Sequence, residues 1–132
     1  MSGESFVLIV TDGDDSIDKI AQGIKNAASG FDVKLCHASE FEGTDLLRCS
    51  AFFLGCGAPK APSFSYIQDM LSHINLASRK CGTFAYDKKA SQYLADIIKD
   101  SEAFLKAPLV VDKSNESSFD EVTRNYVRTI ME

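Results

Sequence analysis

Four carboxylates fall within seven residues: Asp12, Asp14, Asp15 and Asp18, in the run Thr11-Asp-Gly-Asp-Asp-Ser-Ile-Asp18. Clustered aspartates can ligate a divalent cation, supply nucleophile and acid/base groups for phosphoryl transfer, or accept the first N–H groups of a helix. A calcium loop needs glycine at its sixth position and a bidentate acid at its twelfth. Here those positions are Ile17 and Gly23, so calcium chemistry is not expected. Cys56 is a second candidate, because it stands between Gly55 and Gly57. A nearby helix start could lower its pKa. No histidine is close in sequence to act as base, which favours a plain small residue in a turn. Tyr86 and Asp87 form a third candidate group, with a ring able to stack on a planar ligand. The competing role for Tyr86 is packing at a strand end, where tyrosine is favoured.

The elements that position these residues are legible. Phe6-Val-Leu-Ile-Val10 is a continuous apolar run and reads as a strand covered on both faces. Ile17, Ile20, Ala21, Ile24, Ala27 and Ala28 then share one face of a helix. Ser16 or Asp15 is expected to cap it, with Ser29-Gly30 as the stop. Further strands are expected at Asp32–His37, Ala51–Leu54, Lys80–Tyr86 and Ala107–Val111, with Pro108 among the first residues of the last one. Between them lie a short mixed stretch at Asp45–Arg48 and a helix capped by Ser63, with stripe Phe64, Ile67, Met70, Leu71 and Ile74. A helix with stripe Ala90, Leu94, Ile97 and Ile98 follows. Ser118-Phe-Asp-Glu121 matches a capping box that opens the final helix.

Five βα repeats with apolar central strands imply an α/β three-layer sandwich: a five-stranded parallel sheet in the order 2-1-3-4-5, with helices on both faces. The 132 residues suit a single domain. Ligands in such sheets bind beyond the carboxyl ends of strands one and three. Those ends are Thr11–Ser16 and Gly55–Pro62.

Composition narrows the function. The net charge is −5, and the densest basic clusters are Arg79-Lys80 and Lys88-Lys89. Nucleic acid is not an expected partner, whereas an acidic surface suits either solubility or docking to a basic protein. No apolar run approaches the length of a membrane span. The segment MSGES lacks a basic stretch, so a signal peptide is not expected and the cytoplasm is the expected location. Cys36, Cys49, Cys56 and Cys81 form no C-x-x-C pair, and His37 and His73 have no zinc-ligand spacing. Reduced, buried thiols are expected.

The chain resembles the flavodoxin family over nearly its whole length. The pieces that carry the likeness are FVLIV with its turn and DKIAQGI, then DVKLCHASEFEGTDLLRCSAFFLGCGAP, then KCGTFAYD. The resemblance implies a site for flavin mononucleotide. Its phosphate would lie in the first turn, at Thr11, Asp12, Gly13, Asp14, Asp15 and Ser16. Its ring would lie against the loops that carry Gly55, Cys56, Gly57, Tyr86 and Asp87. The family turn is rich in hydroxyl residues. Aligned on Asp18-Lys-Ile-Ala21, this chain keeps only Ser16 and places aspartates at two hydroxyl positions. Each carboxylate repels a phosphate charge by about 1 kcal/mol at 4 Å even in water. The third loop carries no aromatic residue, and the chain has no tryptophan.

Two other resemblances are partial. Asp12-Gly-Asp-Asp-Ser16 is similar to the D-x-D-x-T motif of aspartate-nucleophile phosphohydrolases, for which Asp112 is the obvious later metal ligand. Acidic residues after strand one, with Lys113 after strand five, are similar to response-regulator receivers. The phospho-accepting aspartate of that family falls where Gly55-Cys56-Gly57 stands. Weak Mg²⁺ binding by Asp12, Asp14 and Asp15 remains a minor alternative. The sequence therefore points to a flavodoxin-like binding or regulatory module that does not hold flavin mononucleotide in the usual way, with no catalytic residues and no cofactor expected. The alternative is an electron carrier with flavin mononucleotide in an altered site contacted by Thr11, Ser16 and Tyr86.

Overall fold

The computed structural model describes residues 6–58, 62–77, 79–111 and 119–131. In chain order the elements are β1 (Val7–Thr11), α1 (Asp15–Ala27), β2 (Val33–His37), α2 (Thr44–Arg48), β3 (Ala51–Cys56), α3 (Ser65–Leu71), β4 (Lys80–Ala85), α4 (Lys88–Lys99), β5 (Phe104–Val110) and α5 (Phe119–Met131). Single 3₁₀ turns cover Ala38–Glu40 and Pro62–Phe64. All strand pairs are parallel and the order is β2-β1-β3-β4-β5. Among the described residues no helix is long and apolar enough to cross a membrane.

The uninterrupted apolar strands are explained by two cores. Leu8 and Val10 of β1, with Phe52 and Leu54 of β3, face a cluster built from α2, α3 and α4. Val7, Ile9 and Phe53 face the opposite way, toward α1 and α5. Each central strand thus obeys the two-residue alternation of a pleated sheet, but both faces are dry. Burying each of these side chains stabilises the fold by roughly 1.5–3 kcal/mol. Helices α1 and α5 approach closely because position 23 is glycine: a Cβ there would sit 2.8 Å from Thr123 Oγ1.

Several boundaries differ from the sequence reading. Ser63 lies in the 3₁₀ turn before α3, which has Phe64 at its N-cap and no side-chain cap. Tyr86 lies just past β4. Strand β5 starts at Phe104, three residues before the expected Ala107, so Pro108 falls within it. An edge strand buries only part of each face, and the sequence signal at Phe104–Lys106 is correspondingly weak; Phe104 is 57% exposed. The capping box at Ser118 involves a residue outside the described ones.

A bulge accommodates Pro108. Cys81 pairs with Leu105 and Thr83 with Pro108, so Lys106 and Ala107 face the single residue Gly82. The tear in the ladder is closed from α5. The Thr83 N–H donates to the Tyr126 hydroxyl at 2.9 Å, and that hydroxyl donates to the Ala107 carbonyl. Gly82 leaves room for it, since a Cβ there would lie 2.9 Å from the hydroxyl oxygen. Burial pushes the Tyr126 phenol well above its ordinary pKa, so it stays a donor at any physiological pH. Replacing Tyr126 with Phe strands a buried N–H and a carbonyl. A loss of about 1–3 kcal/mol is expected, read as a lower urea midpoint with an unchanged slope.

Candidate functional site

The carboxyl ends of β1 and β3 lie side by side, with Thr11 opposite Gly55. The turn after β1 is hydrogen-bonded almost entirely by its own side chains. Asp12 Oδ1 accepts from the Asp14 N–H at 3.1 Å. Asp12 Oδ2 accepts from the Gly57 N–H at 2.8 Å, tying the first loop to the third. Asp14 is the N-cap of α1, with extended backbone, and its Oδ1 accepts from the N–H groups of Ser16 and Ile17, both at 3.0 Å. The Gly13 N–H donates to Thr11 Oγ1 at 3.3 Å. Gly13 has φ +89°, a backbone conformation that glycine adopts without strain.

Asp14 therefore caps α1, in place of the expected Ser16 or Asp15. Asp15 is the first helical residue and is exposed, where its charge complements the helix dipole. Ser16 contributes its N–H to the cap. Thr11 is fully buried, and its hydroxyl donates to Asp18 Oδ1 at 2.7 Å.

The third-loop residues are more structural than the sequence suggested. Gly55 and Cys56 belong to β3. A Cβ on Gly55 would lie 2.1 Å from the Phe84 ring, so its smallness serves packing. Cys56 is completely buried in the core facing α3 and α4. Burial, reinforced by the Asp12 charge, lifts its thiol far above the ordinary range. The notion of a loop thiol with a lowered pKa is overturned, because the strand runs two residues further than expected and carries Cys56 inside. Gly57 does lie in the loop, and a Cβ there would come within 2.9 Å of the Asp14 carboxyl carbon.

Beyond β4, Tyr86 is partly buried and packs against the core between the sheet, α1 and α5. Asp87 is the N-cap of α4, with its Oδ1 accepting from the Ala90 N–H at 2.7 Å. Asp112 and Lys113 lie outside the described residues. Among the described residues, no group of three carboxylate, histidine or thiol side chains converges on a point that could hold a metal ion.

One residue enters the site unannounced. His37 ends β2, directly across from Thr11. Its Nε2 lies 3.1 Å from Asp18 Oδ2, so Asp18 bridges a buried hydroxyl and a half-exposed imidazole. A cavity of about 300 Å³ beside this pair is lined by Asp18, Gln22, Leu35, Cys36, His37 and Glu40. The 19-residue separation hid the pairing. The signal that could have found it is the strand order, which aligns the carboxyl ends of β1 and β2.

The chain has the flavodoxin-like fold. Oxidised flavodoxin 2 from Bacillus cereus superposes with a TM-score of 0.78 at 19% identity, covering 96% of this chain and 97% of that one. A Fusobacterium nucleatum flavodoxin variant bound to flavin mononucleotide gives 0.72 at 9% identity, over 94% and 93% of the two chains. A flavo di-iron protein from Thermotoga maritima gives 0.72 at 11% identity, over 98% of this chain but 36% of that one. No protein-family model and no curated relative matches the sequence.

In the turn as folded, the N–H groups of Asp14, Ser16, Ile17 and Gly57 already have acceptors, all of them carboxylate oxygens of Asp12 and Asp14.

Burial holds Cys49 up at about 11 and Cys81 at about 12. These thiols should resist thiol reagents at pH 8 in the folded protein, while half-buried Cys36 reacts first. Because folding raises these pKa values, the stability they contribute is intact below the unfolded value near 9 and falls as pH rises through 11 and 12. Denaturation midpoints at pH 8 and pH 10 check the sign. Asp14→Ala should cost about 0.5–2 kcal/mol through loss of the cap, measured by urea denaturation with helix content followed by circular dichroism.

Proposed function

We propose that this protein is a flavodoxin-like binding or regulatory module that works without flavin mononucleotide held in the usual phosphate cradle. The observation that carries the reading is the occupation of the cradle donors by Asp12 and Asp14. A phosphate approaching the turn would have to displace both carboxylates and then tolerate their charge. Either step costs free energy that the family's hydroxyl-rich turn avoids, since neighbouring like charges destabilise one another strongly in a shielded site. The sites of ring stacking are also thin. The third-loop stretch from Gly55 to Pro62 contains no aromatic residue, and Tyr86 is engaged with the core.

A second reading has its own support. The fold likeness extends to a flavodoxin that binds flavin mononucleotide, which favours an electron carrier with an altered flavin site around Thr11, Ser16 and Tyr86. Thr11 weighs against it, because its hydroxyl is buried and committed to Asp18. Under either reading the net charge of −5 suits a basic protein partner, and the four free thiols suit a reducing compartment such as the cytoplasm.

The test is spectroscopic. Purified protein should show no flavin absorbance, and titration of flavin mononucleotide into it should leave the ligand's fluorescence unquenched through the micromolar range. Saturable quenching at micromolar or lower concentration overturns the first reading and establishes the second.

A further inference from the structure

We propose that the carboxylates of Asp12 and Asp14 act as a built-in anion: they take, from within the chain, the place that a ligand's phosphate would fill, and so hold the loops after β1 and β3 together with no ligand bound. The inference rests on the same reading of the turn and adds what the carboxylates do. Asp12 uses one oxygen within its own loop and the other across the gap, on the Gly57 N–H at 2.8 Å. That second contact spans 45 residues of sequence and is the kind of bridge a bound anion makes between two loops. Asp14 serves the helix end in the same way, at 3.0 Å from two successive N–H groups. The fit is close on the far side, because a Cβ at position 57 would come within 2.9 Å of the Asp14 carboxyl group.

The physics supports substitution of a fixed carboxylate for a free anion. A helix N-terminus and unpaired loop amides need an acceptor, and buried amides left without one are destabilising. An acceptor supplied by the chain forfeits no translational freedom and is present at every ligand concentration. Glycine at 57 and at 13 then belongs to the device: the first admits the carboxylate and the second turns the chain so that Asp12 and Asp14 both reach inward.

Inorganic phosphate is the probe, with sodium chloride at matched ionic strength as control. In the unsubstituted protein, phosphate should leave the melting temperature and the amide resonances of Ser16, Ile17 and Gly57 where they are. In the double variant Asp12→Ser, Asp14→Thr, which keeps a capping hydroxyl, phosphate should shift those three resonances saturably and raise the melting temperature by about 5 °C at tenfold excess over its dissociation constant. Phosphate shifts in the unsubstituted protein, or none in the folded double variant, overturn the proposal. Should the double variant fail to fold, Asp12→Ala, which leaves no side-chain acceptor, decides: faster hydrogen exchange at Gly57 supports the bridge, and unchanged exchange rules it out. Riboflavin separates this test from that of the proposed function. Tight binding of both riboflavin and flavin mononucleotide, with the three amides unmoved, sinks the cofactor-free reading and leaves the built-in anion standing.

Discussion

Backbone N–H groups at the carboxyl edge of a parallel sheet must find acceptors, and this constraint shapes the loops at that end of the molecule. Helices that follow strands arrive there with their first amides unpaired. The chain answers with aspartates: Asp14 at the start of α1, Asp87 at the start of α4 and Asp12 between the first and third loops. Hydrogen bonds to ionised acceptors are shorter and stronger than neutral ones. The amides at this edge are thereby met by charged acceptors from within the chain.

The same carboxylates connect the two cores. Asp12 joins loops that leave β1 and β3, the central strands whose side chains feed both hydrophobic clusters. Asp18 extends the connection outward, from the buried Thr11 hydroxyl to His37 at the end of the edge strand β2. Three adjacent strand ends are thus laced by side chains at the carboxyl edge of the sheet. At the opposite edge β5 shows a different repair, with the Tyr126 hydroxyl bridging the tear that Pro108 and the bulge produce. In both places a single side chain from another element meets backbone groups that the sheet cannot.

Fold and site were legible to different depths, for a physical reason. Hydrophobic runs and helical stripes are local, and local patterns identified all five strands and the order of the sheet. Strand β5 was read short because an edge strand lacks the two-sided burial that makes β1 and β3 obvious. The acidic turn was legible as a helix start, and α1 does begin at Asp15. The capping residue was misplaced by one or two positions, since Asp14, Asp15 and Ser16 are all good caps and only backbone conformation chooses among them.

By itself the sequence determined the layering: alternating apolar runs and amphipathic stretches leave no other economical way to bury Val7–Val10 and Ala51–Leu54 on both faces. It also determined that the first turn is acidic and poor in hydroxyls. Tertiary structure alone decided what those acids touch. Asp12 meets Gly57 and Asp18 meets His37 because parallel pairing brings distant strand ends within 5 Å of one another. Cys56 became core rather than loop because Gly55 continues the strand, making room for Phe84. Such contacts depend on register and close approach between remote segments, which no local pattern of residues encodes.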